Sequence, residues 1–349
     1  MNSAIGNRQS ALQRGSALIV ALWVILLLSL LISSFAFDMH VEADITSYYR
    51  NRYKAQFIAQ SGLELARVVL ARMETADEED VGIDQKDDAL ITAAVNLSRG
   101  VPVRNLTREI GEGTLSLEIE PEEGRRNVND LSDEDWEEIL DQANIPQERW
   151  AELIDSFADW VDTDSPDTSR LHGAGSQDPF YVNRGYKVKG AHGGDRVDTV
   201  DELLLIHGFD EEVLYGSPSG TPPEEAIRGI AYWLTAWSHG KVNINTASRE
   251  VLLTLPGIDD WIVDEILELR MGLDGEAGTR DDGFESLEDA VARIPGLQQH
   301  RDRLTVHDVH FWRITAVGEV GGVRSAAWTV MRLGDDGKWN PVYWREEQL

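Results

Sequence analysis

The chain has 349 residues, 42% of them hydrophobic, with 62 acidic against 32 basic side chains and a formal net charge of -30. So acidic a chain disfavours binding to nucleic acid or anionic lipid through its soluble part and favours divalent cations as partners. It has no cysteine, which excludes disulfides and leaves packing or metal ions to stabilise it in an oxidising compartment.

The stretch "RGSALIVALWVILLLSLLISSFAFD" (14–38) holds 22 consecutive uncharged residues, 16–37. At about 1.5 Å rise per residue these form about 33 Å of helix, enough to cross a hydrocarbon core of roughly 30 Å. A cleaved secretory signal has a shorter apolar core, about 7 to 15 residues, although "SSFAFD" loosely supplies a small-residue cleavage site. Arg8 and Arg14 precede the run and Asp38, Glu42 and Asp44 follow it. That asymmetry predicts a cytoplasmic N-terminus, with the bulk of the chain across the membrane.

The helical pattern does not stop at the membrane surface. Ile45, Tyr49, Tyr53 and Phe57 recur every fourth residue, and Leu63, Ala66, Leu70 and Met73 continue at spacings of three and four, so each series keeps one apolar stripe. No proline stands between Ser16 and Met73. One long helix is predicted, its first half in the membrane and its second half packed on a soluble domain.

Residues 74–98 are acidic and irregular, with a short helix predicted over 89–97. "GTLSLEIE" (113–120) alternates Leu115, Leu117 and Ile119 with polar neighbours, the period of a half-buried strand. Near the C-terminus "FWRITAVGEV", "VRSAAWTVMRL" and "WNPVYW" are separated by Gly321-Gly322 and by "GDDGK", both hairpin signals. Strands therefore flank a central block, roughly 125–305, in which helical patterns dominate.

That block is internally duplicated. "NVNDLSDED" (127–135) and "NINTASREV" (243–251) share Asn-x-Asn and a serine at the same offset, Ser132 or Ser248, placed to cap a helix. Each half later carries a hydroxyl residue with an acid three positions on, in "TVDELLLIHGF" (199–209) and "SLEDAVARIPGL" (286–297), a looser capping box. In the second copy, "VNINTASREVLLTLPGIDDWIVDEILELR" reads as helix, Leu-Pro-Gly-Ile hairpin, helix, and resembles the helix-hairpin-helix module of DNA repair and DNA-uptake proteins. The helix after its hairpin, 259–270, carries five acids and one base, which suits phosphate poorly; Pro256 and Gly257 read as turn residues. Trp136, Trp150, Trp160, Trp233, Trp237 and Trp261 punctuate the block at positions that read as core.

Two acidic loops are the candidates for site chemistry. In "DWVDTDSPDTSRLHGAGSQDPFY", Asp162, Asp164 and Asp167 lie close together and Asp178 returns from beyond two glycines. Hard oxygen ligands on such a loop suit calcium, which takes 6 to 8 of them at about 2.3 to 2.6 Å. "LDGEAGTRDDGF" offers Asp274, Asp281 and Asp282 as a weaker second set, without the spacing of an EF-hand. Catalytic signatures are missing: the chain contains no H-E-x-x-H, no G-x-S-x-G and no P-loop. A membrane-anchored helix-hairpin-helix protein for DNA binding or uptake is the alternative function; it requires a basic patch, and none is visible.

Taken in order over nearly the whole chain, the basic leader ending in Gly15, the apolar segment, "RRNVND", "FADWVDTD", "TVDELLLIHGF" and "VNINTAS" resemble the minor pseudopilin K family of the bacterial type II secretion system. The resemblance implies an α+β fold, with a pilin-like long N-terminal helix packed on an antiparallel sheet and a large all-α insertion of two related helix-hairpin-helix or SAM-like subdomains. The expected boundaries are a leader at 1–15, a membrane segment at 16–37, a periplasmic helix and first strands at 38–124, the insertion at 125–305 with subdomains near 125–215 and 240–300, and C-terminal strands at 306–349.

The same resemblance implies cleavage by a prepilin peptidase between Gly15 and Ser16, so the anchor is retained in the inner membrane; serine at the new N-terminus leaves its methylation open. It implies a structural, non-enzymatic role at the tip of a periplasmic pseudopilus built of the major pseudopilin. The partners there are the minor pseudopilins I and J, and the assembly supports export of folded proteins across the outer membrane. Pilin-like subunits carry glutamate at mature position five, where this chain has Val20. Val20, Tyr49, Tyr53 and Phe57 are the expected partner-binding residues. Calcium is implied at the first acidic loop, although the family's usual acid after Gly-Ala is replaced by Gly175.

Overall fold

The computed structural model describes residues 3–73, 88–161, 179–187, 189, 196–279, 281–334 and 337–348. Helix α1, Ser3–Met73, runs unbroken for 71 residues, as the lack of proline predicts. Its apolar window has a mean hydropathy of 2.8 and none of it is buried by the rest of the protein. Burial begins at Ala55, where Ala55, Ile58, Ala59, Leu63, Ala66, Val69 and Leu70 turn onto a sheet.

The two apolar series on α1 do not share one fate. Leu63, Ala66 and Leu70 enter the core, whereas Ile45, Tyr49, Tyr53 and Phe57 stay exposed, Phe57 at 68%. A spacing of four drifts slowly around a helix of 3.6 residues per turn, so the first series ends on a different face from the one that meets the sheet.

Helix α2, Asp88–Ser98, covers the end of α1 and leads into five antiparallel strands: β1 Val103–Ile110, β2 Gly113–Pro121, β7 Phe311–Val320, β8 Val323–Leu333 and β9 Trp339–Gln348. They lie in that spatial order. Inward residues alternate as expected, with Leu115, Leu117, Ile119, Trp312, Ile314 and Ala316 all buried against α1. The β7–β8 turn uses Gly321 and Gly322, both with positive φ, which suits a tight hairpin. Close approach of α1 to β7 depends on Gly318, where a Cβ would lie 2.0 Å from the Ala55 carbonyl oxygen. Strand β1 has no clean period because Asn105 adopts φ 60° at a bulge that shifts the register between Val103 and Leu106.

Between β2 and β7 the chain builds a second body with its own core. It contains α3 Asp133–Gln142, α4 Trp150–Val161, α5 Pro179–Arg184, α6 Glu211–Tyr215, α7 Arg249–Leu253, α8 Asp260–Leu269 and α9 Leu287–Arg293. It is not purely helical. β3 Arg126–Asn127 pairs in parallel with β4 Leu234–Thr235, and β5 Val242–Asn243 pairs in parallel with β6 Leu304–Thr305.

The two Asn-x-Asn segments fold alike. In each copy an asparagine side chain accepts from the backbone N–H two residues on, Asn127 from Asn129 (3.0 Å) and Asn243 from Asn245 (2.9 Å). Ser132 then caps α3 in a capping box with Asp135, and Ser248 caps α7. Ser286 caps α9, but Thr199 caps nothing: residues Val200–Leu205 form a 3-10 turn. Glu202 is diverted there to the Trp160 indole N–H (2.9 Å) and the Asp198 backbone N–H (3.0 Å).

Trp136, Trp160 and Trp233 are buried as expected. Trp150 is half-buried at the edge of the core, whereas Trp237, also half-buried, stacks on Tyr343 of β9 with ring centroids 5.2 Å apart. Trp261 is 52% exposed, because α8 buries its Ile262, Val263 and Ile266 face and not the position of Trp261.

Candidate functional site

The loop after α8 brings three predicted ligands together. Arg270 is the C-cap of α8, and its guanidinium donates to the carbonyls of Ala247 (2.7 Å) and Ile244 (3.3 Å), tying the helix end to the segment before α7. The chain then turns through Gly272, Gly275, Gly278 and Gly283, all at positive φ, conformations glycine adopts without a steric penalty.

Within this loop one carboxylate oxygen from each of Asp274, Asp281 and Asp282 lies within 4.8 Å of the others. Asp281 accepts from the Leu273 backbone N–H (2.7 Å) and the Thr279 hydroxyl (2.7 Å). Asp282 accepts from the Gly278 backbone N–H (2.6 Å), and Asp274 from that of Glu276 (2.8 Å). The three environments differ. Asp282 is 4% exposed, and burial, with the charges of Asp281 and Asp274, pushes its carboxyl above the usual range. Asp281 stands in solvent and is held below it by its hydrogen bonds to Thr279 and Leu273. The donor set is hard oxygen, its charges repel, and two of its three carboxylates are exposed to solvent, which fits calcium.

Asp162, Asp164, Asp167 and Asp178 lie outside the described residues. The segments flanking them are held together, since Trp160 of α4 and Tyr181 of α5, both buried, pack ring on ring at 5.4 Å.

Between α7 and α8 the chain turns through Gly257 at φ 81°. Its backbone is engaged within the protein, because the His300 ring sits against Gly257 and hydrogen-bonds it; burial, with the charge of Arg303, keeps that imidazole's pKa low. The face beyond the hairpin is acidic, and Arg249 is already claimed by Asp260 and Asp264.

Tyr49, Tyr53 and Phe57 present an apolar strip on α1, with Tyr53 at 61% exposure. Phe57 opens into a groove of about 670 Å³ between α1 and the outer strands, lined also by Leu63, Arg67, Met331, Pro341 and Trp344. Pro341 and Trp344 did not stand out in the sequence. The alternation of "WNPVYW" is offset by the register shift between Val330 and Met331, which puts Pro341 opposite Met331 and Trp344 opposite Thr329. Val20 lies exposed on the apolar half of α1, and Gly15 and Ser16 belong to the same continuous helix.

Residues 14–64 match the family model described as PilX N-terminal, and residues 105–215 match that described as type II secretion system protein K. No curated protein is similar enough to match. Among solved structures, a chain of the crystal structure of the GspK-GspI-GspJ complex from the type 2 secretion system of enterotoxigenic Escherichia coli is similar over 87% of this chain and 99% of its own, with a TM-score of 0.56 and 12% identity.

Proposed function

We propose that this chain, a protein K of the type II secretion system and so a minor pseudopilin, ends the periplasmic pseudopilus at its tip and binds the minor pseudopilins I and J there, supporting export of folded proteins across the outer membrane. The observation that carries the reading is the pairing of an exposed apolar strip on α1 with a large second body inserted between β2 and β7. Subunits joined through unlike faces add without limit unless one of them lacks a free face. The inserted body obstructs one end of the pilin unit and leaves the strip for partners.

The anchor fits the same place. Its charge asymmetry supports a cytoplasmic N-terminus and a single inner-membrane pass. Val20, in place of glutamate, removes a carboxylate that would engage the ammonium of another subunit, and an unpartnered charge within the membrane is costly. Prepilin peptidase cleavage at Gly15 and assembly on the major pseudopilin complete the reading. Calcium is proposed as a structural ion at Asp274, Asp281 and Asp282 and in the loop of Asp162, Asp164, Asp167 and Asp178. The role is structural rather than catalytic. The acidic face of α8 and the hairpin packed on His300 weigh against the nucleic-acid alternative.

The test is co-purification from membranes. Tyr53→Asp and Phe57→Asp should abolish recovery with the I and J homologues, while Val20→Glu should change it little. Crosslinks placing this chain at regular intervals along the pseudopilus shaft would overturn the capping role.

A further inference from the structure

Among the described residues the chain crosses between its two bodies at two places, after β2 and before β7, and one short turn touches both. Residues Glu122–Gly124 form a 3-10 turn after β2 that packs on β5 of the inserted body and on β7 of the sheet. Gly124 lets it approach so closely that a Cβ there would meet the Thr246 side chain at 2.7 Å. Two adjacent carboxylates are shut inside this turn, Glu122 at 0% and Glu123 at 1% exposure.

They are not equivalent. Glu122 has two cations: Arg313 Nε of β7 donates to its Oε1 at 2.6 Å, Arg125 lies 3.6 Å from its Oε2, which is buried without a hydrogen bond among the described residues, and Thr235 hydrogen-bonds the carboxylate. Glu123 has no cation beside it among the described residues. Its Oε1 accepts from the backbone N–H of His310 at 3.0 Å, on the segment returning to the sheet, the backbone N–H groups of Phe311 and of Glu123 itself also point to the carboxyl group, and its Oε2 is buried with no hydrogen-bond partner among the described residues. The other charged or titratable groups at the joint are His310, whose ring lies 3.4 Å from Asp308, and His239, stacked edge-on against His310.

We infer that the Glu122–Glu123 turn is a proton-operated joint between sheet and inserted body, tight while Glu123 is neutral and loosened when it ionises. A negative Glu123 would sit unpaired and dehydrated beside Glu122, whose charge already takes both arginines, and opening the joint to water relieves that cost. Burial pushes the Glu123 carboxyl up to about 8 from an ordinary 4.5. Between these values the open state releases the proton and the closed state keeps it, so the joint weakens as pH rises through the window and is level above it.

Hydrogen exchange on the full-length chain in detergent, corrected for the intrinsic rate, tests this at the amides of His310 and Arg126. Protection should fall about tenfold or more from about pH 5.5 to about pH 8.5, and Glu123→Gln should remove that dependence while Asp308→Asn retains it. Infrared difference spectra of the wild type should show a protonated-carboxyl band lost over the same range. Flat protection in the wild type, an unchanged dependence in Glu123→Gln, or no such band overturns the inference.

Discussion

Arg126 donates from Nη1 to the carbonyl oxygen of Thr254 at 2.5 Å, across 128 residues of sequence, and so joins the two copies of the duplicated module. Its Nη2 ion-pairs with Asp135 of α3, which also receives Arg303 at 3.0 Å. The arginine at the entry to the inserted body therefore holds the first helix of one copy and the hairpin helix of the other.

Removing Arg126 leaves Asp135 in a buried site with only Arg303, which is half in solvent. Breaking a buried pair from one side costs about 3–5 kcal/mol. Arg126→Ala should lower the Tm of the inserted body accordingly, and replacing both Arg126 and Asp135 with apolar residues should cost much less. Burial pushes the Asp135 carboxyl up, but Arg126 and the Ser132 cap outweigh it and hold it below the ordinary 3.8. Its stabilisation is therefore complete above pH 3.8 and lost as pH falls through the lower folded value. Thermal melts should show a flatter acid limb for Asp135→Asn than for the wild type.

Gly318→Val should separate α1 from the sheet. The added Cβ would lie 2.0 Å from the Ala55 carbonyl oxygen, which neither a helix backbone nor a central strand can yield cheaply; overpacking of this kind costs typically about 1–3 kcal/mol. The expected result is a lower Tm and faster proteolysis between β7 and α1, with the helical content of the inserted body unchanged by circular dichroism. A stable Gly318→Val protein would mean that α1 packs elsewhere.

Chelation should lower the Tm of the purified protein and calcium should restore it. An ion at about 100 times its dissociation constant contributes about 2.7 kcal/mol. Asp281→Asn should remove the part of the shift due to the Asp274–Asp281–Asp282 loop, and Asp164→Asn the part due to the other. Because the Asp282 carboxyl holds its proton above the usual range, calcium affinity of the Asp274–Asp281–Asp282 loop should weaken on mild acidification before Asp281 itself titrates. A melt indifferent to chelation in wild type would make both loops merely solvated.

Membrane-extracted protein should begin at Ser16 when sequenced from its N-terminus. Gly15 precedes the apolar helix and Arg14 lies on its basic side. A start near Phe37 would instead indicate a removed signal sequence.

Much of the architecture follows from local pattern. The unbroken run from Ser16 to Met73, the alternation of Leu115, Leu117 and Ile119, the paired glycines at 321 and 322, and the repeated Asn-x-Asn with Ser132 and Ser248 each act over a few residues, where helix and strand geometry dictate spacing. The acidic residues at 274, 281 and 282 were visible in the same way, as hard ligands between glycines. Strand β1 escaped because the left-handed Asn105 breaks its alternation, and Thr199 misled because Glu202 found a better donor in Trp160.

Local pattern thus carries the order and type of the elements, the membrane-length helix, the repeated Asn-x-Asn motif and the acidic residues set between glycines. Tertiary structure alone decided which of them are hidden. Glu122-Glu123 reads as an ordinary solvated pair until β5 and β7 close over it; Trp261 reads as core until α8 turns it outward; Tyr53 and Phe57 share a helix with Leu63 yet stay exposed. Burial and charge pairing depend on contacts such as Arg126 to Thr254, made between residues far apart in the chain, and local periodicity carries no record of which distant group will arrive.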